Sequence, residues 1–556
     1  MMEQPYSFSL ITEPWIQVTD DKEKIHLASL RNIFDGTMRI RCISGDNSLQ
    51  DYAIFRLLLV IFWCAHRQNP DLLKLGDSEE WWEDQWEKIK GERKDEIVLN
   101  YLEQWADRFD LFHPLTPFMQ VANLATTKKD HKEIKELVPE YVGKQFALRQ
   151  GVALEALTPA EAARWLICAQ SYDPSGIKSG AVGDPRVKGG KGYPIGQGWT
   201  GLTGGILIHG ENMNESLLLN TVPGIIFDDE DLPVWERTPD TEKERAVSIP
   251  KGPCDLLTWQ ARRIRLFTDE GGKEVTGVLL CNGDRIPESG ANTFHDPMTP
   301  YRYSANKSTA TQEVFYPRPH DEDLTLWRSL DPLLIREGKD IGIETAQSYG
   351  KKKGKPPRAA KTMAALADKQ KRGGVLSGKS IDIQLISAIY GTQAASLANI
   401  VDLRLSFPVD AFAEEEPRLL RAIVRAAYLT RTTSVYLGQY AGQLIQAAGG
   451  EYAYQNNVAA AFLDSMTPPF MDWMRNLTEG YESVNKWSQN LENEVLIRSA
   501  ELIRQSGTRA LIGRDINENE GKTRFISAGS AQSTLKNRLR KLLPHHDNTQ
   551  EETHGN

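Results

Sequence analysis

Residues 381–408 read IDIQLISAIYGTQAASLANIVDLRLSFP, and this stretch decides how the rest of the chain divides. Residues 381–390 are rich in β-branched side chains, 396–408 alternate apolar with polar, and Gly391-Thr392-Gln393-Ala394 lies between the two runs. That pattern predicts a β-hairpin with Gln393 near its tip. Beyond Pro408 the apolar residues recur at helical rather than strand spacing, over 416–448, 454–476, 481–506 and 523–543, with Gly, Pro and Asn breaks between them. Four amphipathic helices joined by short connections predict a helix bundle. Ahead of the hairpin, short strand-like pieces such as 9–18 mix with helical runs such as 52–65 and 98–109. The expectation is an α+β protein: a mixed α/β N-terminal domain with β-hairpins and long loops over 1–408, a four-helix bundle over 409–545, and a disordered polar tail over 546–556.

At 556 residues the chain exceeds what one hydrophobic core ordinarily supports, which also argues for more than one domain. Cys42, Cys64, Cys168, Cys254 and Cys281 are scattered, with no pair at the spacing that clips a metal or runs dithiol chemistry. They read as reduced thiols, and no zinc or other cofactor is expected. The first residues lack a basic-then-apolar leader pattern, and the most apolar run, 57–65, is too short to span a bilayer. A cytoplasmic location is the expectation.

The formal charge of −9 argues against a polyanionic partner on average, but the charge is unevenly spread. Between Lys351 and Lys379 ten Lys or Arg, among them Lys351, Lys352, Lys353 and Lys355, stand against the single acid Asp368. Two readings stand. The block is a solvated linker, or it neutralises phosphates by releasing their counterions, adding affinity without sequence information. Its place directly ahead of the hairpin favours the second. From 173 to 205 the chain is rich in glycine, including Gly176, Gly180, Gly189 and Gly190, with Lys178, Arg186, Lys188 and Lys191 interspersed. A long irregular loop is expected there, either a mobile surface loop or one whose backbone approaches a nucleic-acid groove closely for want of a Cβ.

Gly373-Gly-Val-Leu-Ser-Gly378-Lys379-Ser380 satisfies the Walker A pattern. A P-loop, however, leaves a buried strand and opens a helix, whereas here a lysine-rich stretch precedes the glycines and a strand pattern follows. A glycine hinge is the better reading. His295-Asp296, His320-Asp321 and His546-Asp547 are dipeptides of the kind some metal-dependent phosphohydrolases use. The first two sit among prolines and the third in the tail, so surface or turn roles are expected. On the last helix Phe525, Ala528, Ala531, Leu535, Leu539 and Leu542 are spaced as bundle core, and Lys536, Arg538, Arg540 and Lys541 as an outer basic face. The rival classes are an enzyme, either a P-loop NTPase using Lys379 or a metal-dependent nuclease, and a scaffold that binds only protein.

Several stretches taken in order resemble the CasA family, the large subunits of the type I-E CRISPR surveillance complexes called Cascade. They are Leu10-Ile-Thr-Glu-Pro-Trp15-Ile, Pro117-Phe-Met-Gln120, the helix expected over 155–173 leading into the glycine loop, 210–220 ending Leu-Leu-Leu-Asn, and Tyr390-Gly-Thr-Gln393-Ala-Ala. The resemblance runs nearly end to end. It implies a non-catalytic subunit that works with guide RNA, other Cascade subunits and double-stranded target DNA. Such a subunit recognises the protospacer-adjacent motif largely from the minor groove, wedges the duplex open for R-loop formation and helps recruit the helicase-nuclease. The family's tools are a glycine loop, a basic finger and a glutamine wedge on a hairpin. Carried onto this chain, the wedge falls on Gln393, flanked by Gly391, Thr392 and Ala394. The glycine loop falls on either Gly176-Ile-Lys178-Ser-Gly180 or Lys188-Gly189-Gly190. The basic finger falls near Arg285, where Arg keeps the charge of the family's Lys and changes its donor geometry. The aromatic that meets the 5′ end of the guide RNA falls on Phe146, where stacking is the natural role. Some relatives carry a mid-chain cysteine cluster; here Cys281 alone remains in that region.

Overall fold

Alternating burial sets the first sheet. Ile16–Asp20 (β1) buries Ile16 and Val18 and pairs antiparallel with Ile25–Ala28 (β2) and Ile40–Ile43 (β3), in the order β2-β1-β3. The computed structural model describes residues 6–67, 78–91, 93–141, 154–222, 224, 230–246, 249–320, 357–373, 380–413, 418–478, 480–517 and 523–543. The strand expected over 9–18 is shorter than its apolar pattern, because residues 10 and 11 enter a turn and Ser9 makes only a lone bridge to Asp110. Ser48–Arg67 (α1) is apolar enough by composition to cross a membrane, yet 89% of its most apolar window is buried inside the protein. It is a core helix.

Pro159–Tyr172 (α2) starts where its cap dictates. Thr158 accepts from the Glu161 N–H, Glu161 reaches back to the Thr158 N–H, and Pro159 fills the first turn, where no N–H is needed. The helix therefore begins later than residue 155. The glycine-rich segment after it is more ordered than an irregular loop. Lys178–Ser179 (β4) pairs antiparallel with Lys191–Gly192 (β5), and Gly205–His209 (β6) follows. The antiparallel pair Arg262–Thr268 (β7) and Val275–Asn282 (β8) takes β4 alongside in parallel, Ser179 opposite Cys281.

Lys361–Gly373 (α3) is a helix within the stretch expected to be a basic loop, and it buries Lys369. The expected hairpin follows as Ser380–Tyr390 (β9) and Leu397–Pro408 (β10). Helix then strand around the Walker-like residues is the reverse of P-loop order, and Lys379 itself lies outside the described residues. Strand β9 sits between β10 and β6, in antiparallel register with β6 from Asp382 opposite His209 to Ile386 opposite Gly205.

The chain gathers into two compact units, the first of Met1–Glu322, Gly350–Leu366 and Asp382–Arg404, the second of Asp323–Tyr349, Ala367–Ile381 and Leu405–Asn556. In the second, Arg418–Ala447 (α4) packs against Asn456–Arg475 (α5), Gly480–Ile512 (α6) and Ala528–Leu542 (α7), which completes the four-helix expectation. Two boundaries differ. Helix α6 continues past 506 across a break at Gly507, whose φ is +76°. Arg514–Asn517 (β11) and Thr523–Ile526 (β12) form a small hairpin, so α7 starts behind the Ser527 cap instead of at 523, and Phe525 is exposed on a strand.

The His-Asp dipeptides are not surface features where they are described. Asp296 is fully buried and accepts from Arg56 Nη1 (2.8 Å), Trp199 Nε1 (2.7 Å), Thr299 Oγ1 (2.9 Å) and the Met298 N–H (2.9 Å). His320 is buried and bonds through Nε2 to the Gly205 carbonyl at 3.0 Å. Both groups cement the core of the first unit. Asp321, His546 and Asp547 lie outside the described residues.

Candidate nucleic-acid interface

The hairpin apex is built to present a side chain. Gly391 N–H to Ser396 carbonyl (3.0 Å), Ala394 N–H to Gly391 carbonyl (2.9 Å) and Ala395 N–H to Thr392 carbonyl (3.2 Å) close a tight turn. The turn holds Gln393 at φ +56° and Ala394 at φ +53°, two successive non-glycine residues in the left-handed region. Each such residue costs on the order of 1 kcal/mol, which the pairing of the flanking strands offsets. Thr392 and Gln393 are exposed, and the Gln393 amide has no hydrogen-bond partner among the described residues.

The glycine-rich segment offers one open tip. Lys188 and Lys191 exchange both backbone hydrogen bonds at 3.1 Å around Gly189 (φ +60°) and Gly190 (φ +73°), the positive-φ pair that suits a two-residue hairpin. All four residues of this tip are exposed, and a Cβ at either glycine would meet open space. The other placement is largely internal. Gly180 is buried and donates its N–H to the Gly190 carbonyl at 3.0 Å, while Gly176 is half-buried. Lys178 is nearly buried, its ammonium 2.6 Å from Asp173. Burial, with Arg262 nearby, pulls the Lys178 amine below its usual range against the opposing pull of Asp173. Its charge is engaged within the protein, which removes it from phosphate contact in this arrangement.

Two residues that the sequence did not single out hold these parts in place. Arg262, buried at the start of β7, donates Nε to Asp173 Oδ2 (2.5 Å) and Nη2 to the carbonyls of Asp173 (3.1 Å), Pro174 (3.2 Å) and Gly196 (2.9 Å). One guanidinium thus ties the start of the glycine-rich segment to Gly196, using the five-donor fork that Lys lacks. Tyr390, the last residue of β9, donates its hydroxyl to the Tyr172 carbonyl at 2.8 Å. The only sequence signals were an Arg-Arg pair opening an alternating strand and an aromatic just before a turn.

Arg285 is exposed, its N–H donating to Glu244 at 3.1 Å and its guanidinium without a partner among the described residues. Its neighbour Asp284 is buried between Arg263 (2.7 Å) and Arg245 (2.8 Å). Burial alone would raise that carboxyl, but the two arginines hold it below the usual range. Arg358, within the basic block, lies over the rings of Phe294 (4.6 Å) and Phe315 (4.2 Å). Lys351, Lys352, Lys353, Lys355 and Phe146 lie outside the described residues. Among the described residues no three His, Cys, Asp or Glu side chains converge on a metal-sized point.

The fold recurs in known proteins. The family described as CRISPR-associated protein Cse1 matches residues 9–497. A CRISPR-associated protein CasA/Cse1 of Thermus thermophilus is 29% identical over 343 residues, and the match spans 60% of this chain and 61% of that protein. The crystal structure of Thermobifida fusca Cse1 superposes with a TM-score of 0.83 at 34% identity, covering 97% of this chain and 98% of the other. A chain from a structure named CRISPR RNA-guided surveillance complex shares the fold, with a TM-score of 0.67 at 19% identity over 96% of this chain and all of that one. With the family pattern running through both the exposed hairpin and the glycine-rich segment, the chain belongs to the Cse1 family of CRISPR-associated proteins.

Proposed function

We propose that the chain is the large, non-catalytic subunit of an RNA-guided surveillance complex, reading a short motif in double-stranded DNA and opening the duplex beside it. The observation that carries this reading is the exposed, unpaired amide of Gln393 at the tip of a hairpin whose inner strand is bonded to the glycine-rich segment at Thr203 and Gly205. A wedge must be stiff, because forcing apart a base step takes a few kcal/mol and a compliant tip would bend instead. Strand β9 supplies the stiffness, paired on both sides and buried over most of its length. The tip Lys188-Gly189-Gly190-Lys191 supplies backbone without Cβ atoms between two ammonium groups, suited to a narrow groove lined by phosphates. Minor-groove edges are degenerate, so such a reader tolerates several motifs. Arg285 adds an exposed cation.

Guide RNA, sister subunits and a helicase-nuclease are the partners of this reading. Phe146 stacks at the guide's 5′ end, and the lysines from 351 to 355 add sequence-independent phosphate affinity. The bundle of the second unit is the surface for protein partners, and the complex works in the cytoplasm. The experiment is R-loop formation on linear duplex by the assembled complex carrying Gln393→Ala. Assembly with guide RNA stays intact, and opening of a correct target slows about tenfold or more. Opening at the parent rate refutes the wedge.

A further inference from the structure

One strand carries both feet of the glycine-rich segment. At the far foot, Ile386 pairs with Gly205 and the Ser387 hydroxyl donates to the Thr203 carbonyl at 3.1 Å. At the near foot, the Tyr390 hydroxyl donates to the Tyr172 carbonyl, the last residue of α2 and one of the acceptors a helix leaves without a partner at its C-terminus. Tyr390 immediately precedes the apex turn. Gly201 completes the joint. A Cβ there would lie 2.5 Å from the Tyr390 hydroxyl oxygen, so the segment passes beneath the phenol only because residue 201 has no side chain.

Resting on the wedge role of Gln393, we infer that Tyr390 is a positioning residue that makes the glycine-rich segment and the wedge hairpin act as one body. Occupation of the segment by a correct motif then fixes the angle at which Gln393 meets the first base pair. Coupling between two sites travels through packed side chains and hydrogen bonds with a defined arrangement, and the phenol is the side-chain bond that links the segment's entry to the base of the apex. Without it both parts remain folded, but the segment is held to the strand only at its far foot, and its entry shifts relative to the apex. Binding of the motif then no longer aims the wedge.

The test uses the whole complex carrying Tyr390→Phe, which deletes one hydrogen bond and keeps the ring. Affinity for a motif-bearing duplex stays within about twofold, while R-loop formation on intact linear duplex slows roughly five- to tenfold, the worth of one buried hydrogen bond. A target already unpaired beside the motif is opened at the parent rate, an outcome that general misfolding would not give. Gly201→Ala, which presses a methyl group onto the phenol, gives the same pattern, and the double variant is no slower than the slower single one. Parent-like opening of the intact duplex by Tyr390→Phe, equal slowing on the pre-unpaired target, or additive slowing in the double variant overturns the inference. Gln393→Ala measured alongside separates the two readings. If it slows opening while Tyr390→Phe does not, the wedge stands and the coupling falls; if it opens at the parent rate, both fall.

Discussion

The first unit and the helix bundle of the second hold their interiors together by different means. In the first, Arg56 with Asp296, Arg67 with Glu236, Arg262 with Asp173 and Arg263 with Asp284 are ion pairs almost wholly out of water. Among the described residues of the four helices of the second, no charged side chain is buried, and ion pairs such as Lys486 with Glu482 and Arg475 with Asp472 lie in solvent. The difference follows from the backbone. A helix satisfies its own carbonyls, whereas a loop drawn into the interior must find donors elsewhere. Arg262 donates to the carbonyls of residues 173, 174 and 196, and Arg263 to those of 241, 243 and 260. Buried arginine is the means by which irregular backbone becomes a rigid scaffold, and the candidate nucleic-acid contacts are mounted on that scaffold. The bundle needs no such device.

The largest effect that would test this contrast is removal of a buried acid. Asp296→Ala strands the Arg56 charge and leaves the Trp199 N–H without its acceptor. Breaking a buried pair in this way destabilises by about 3–5 kcal/mol, read as a shift in urea unfolding with loss of amide protection in the first unit. A shift below about 1 kcal/mol would mean that the ion pairs are incidental and that apolar packing alone holds this unit, as it does the bundle.

How much of this was legible in the sequence follows from the range of the interactions. The hairpin, its Gln393 tip and the four helices were legible because strand and helix spacing, turn residues and breaks are local. The start of α7 was misjudged because Phe525 continues the helical spacing of Ala528 and Ala531, although pairing with β11 claims residues 523–526 for a strand. The buried charges were illegible because each depends on a distant partner: Asp296 meets Arg56 240 residues away, and Asp173 meets Arg262 89 residues away. The same dependence hid Tyr390, whose role rests on a carbonyl 218 residues earlier, and hid the burial of Asp296 and His320. Lys178 looked like a phosphate ligand for the same reason, its charge being answered inside the protein by Asp173.

Acid should weaken the first unit in a way it cannot weaken the bundle, since no histidine occurs between residues 405 and 543. Burial, assisted by Arg318 and opposed by the hydrogen bond to Gly205, holds the His320 imidazole down to about 4. The unfolded chain therefore binds this proton more readily, and the stability present above pH 6.5 is lost as pH falls from there through 4. His320→Asn keeps a donor for Gly205 and does not titrate. The parent is the more stable at pH 7, and the gap narrows by up to roughly 3 kcal/mol on approach to pH 4. Urea unfolding of both proteins at stepped pH reads this directly. A gap that stays constant from pH 7 to 4.5 would place the acid sensitivity elsewhere.

The smallest effect belongs to the bundle surface, and its smallness is the point. Lys486 and Glu482 lie one turn apart on α6 at 3.2 Å, with Glu on the N-terminal side, the favourable order for a helix pair. Both side chains remain more than three-fifths exposed, so water and salt screen their attraction, and holding two long side chains together takes back much of the gain. Lys486→Ala should change stability by less than about 0.5 kcal/mol, with little further change on raising salt from 0.05 to about 0.5 M. A loss above about 1 kcal/mol would mean that charge supports the bundle too, and the division between a scaffold braced by buried arginines and a bundle held by apolar packing would have to be redrawn.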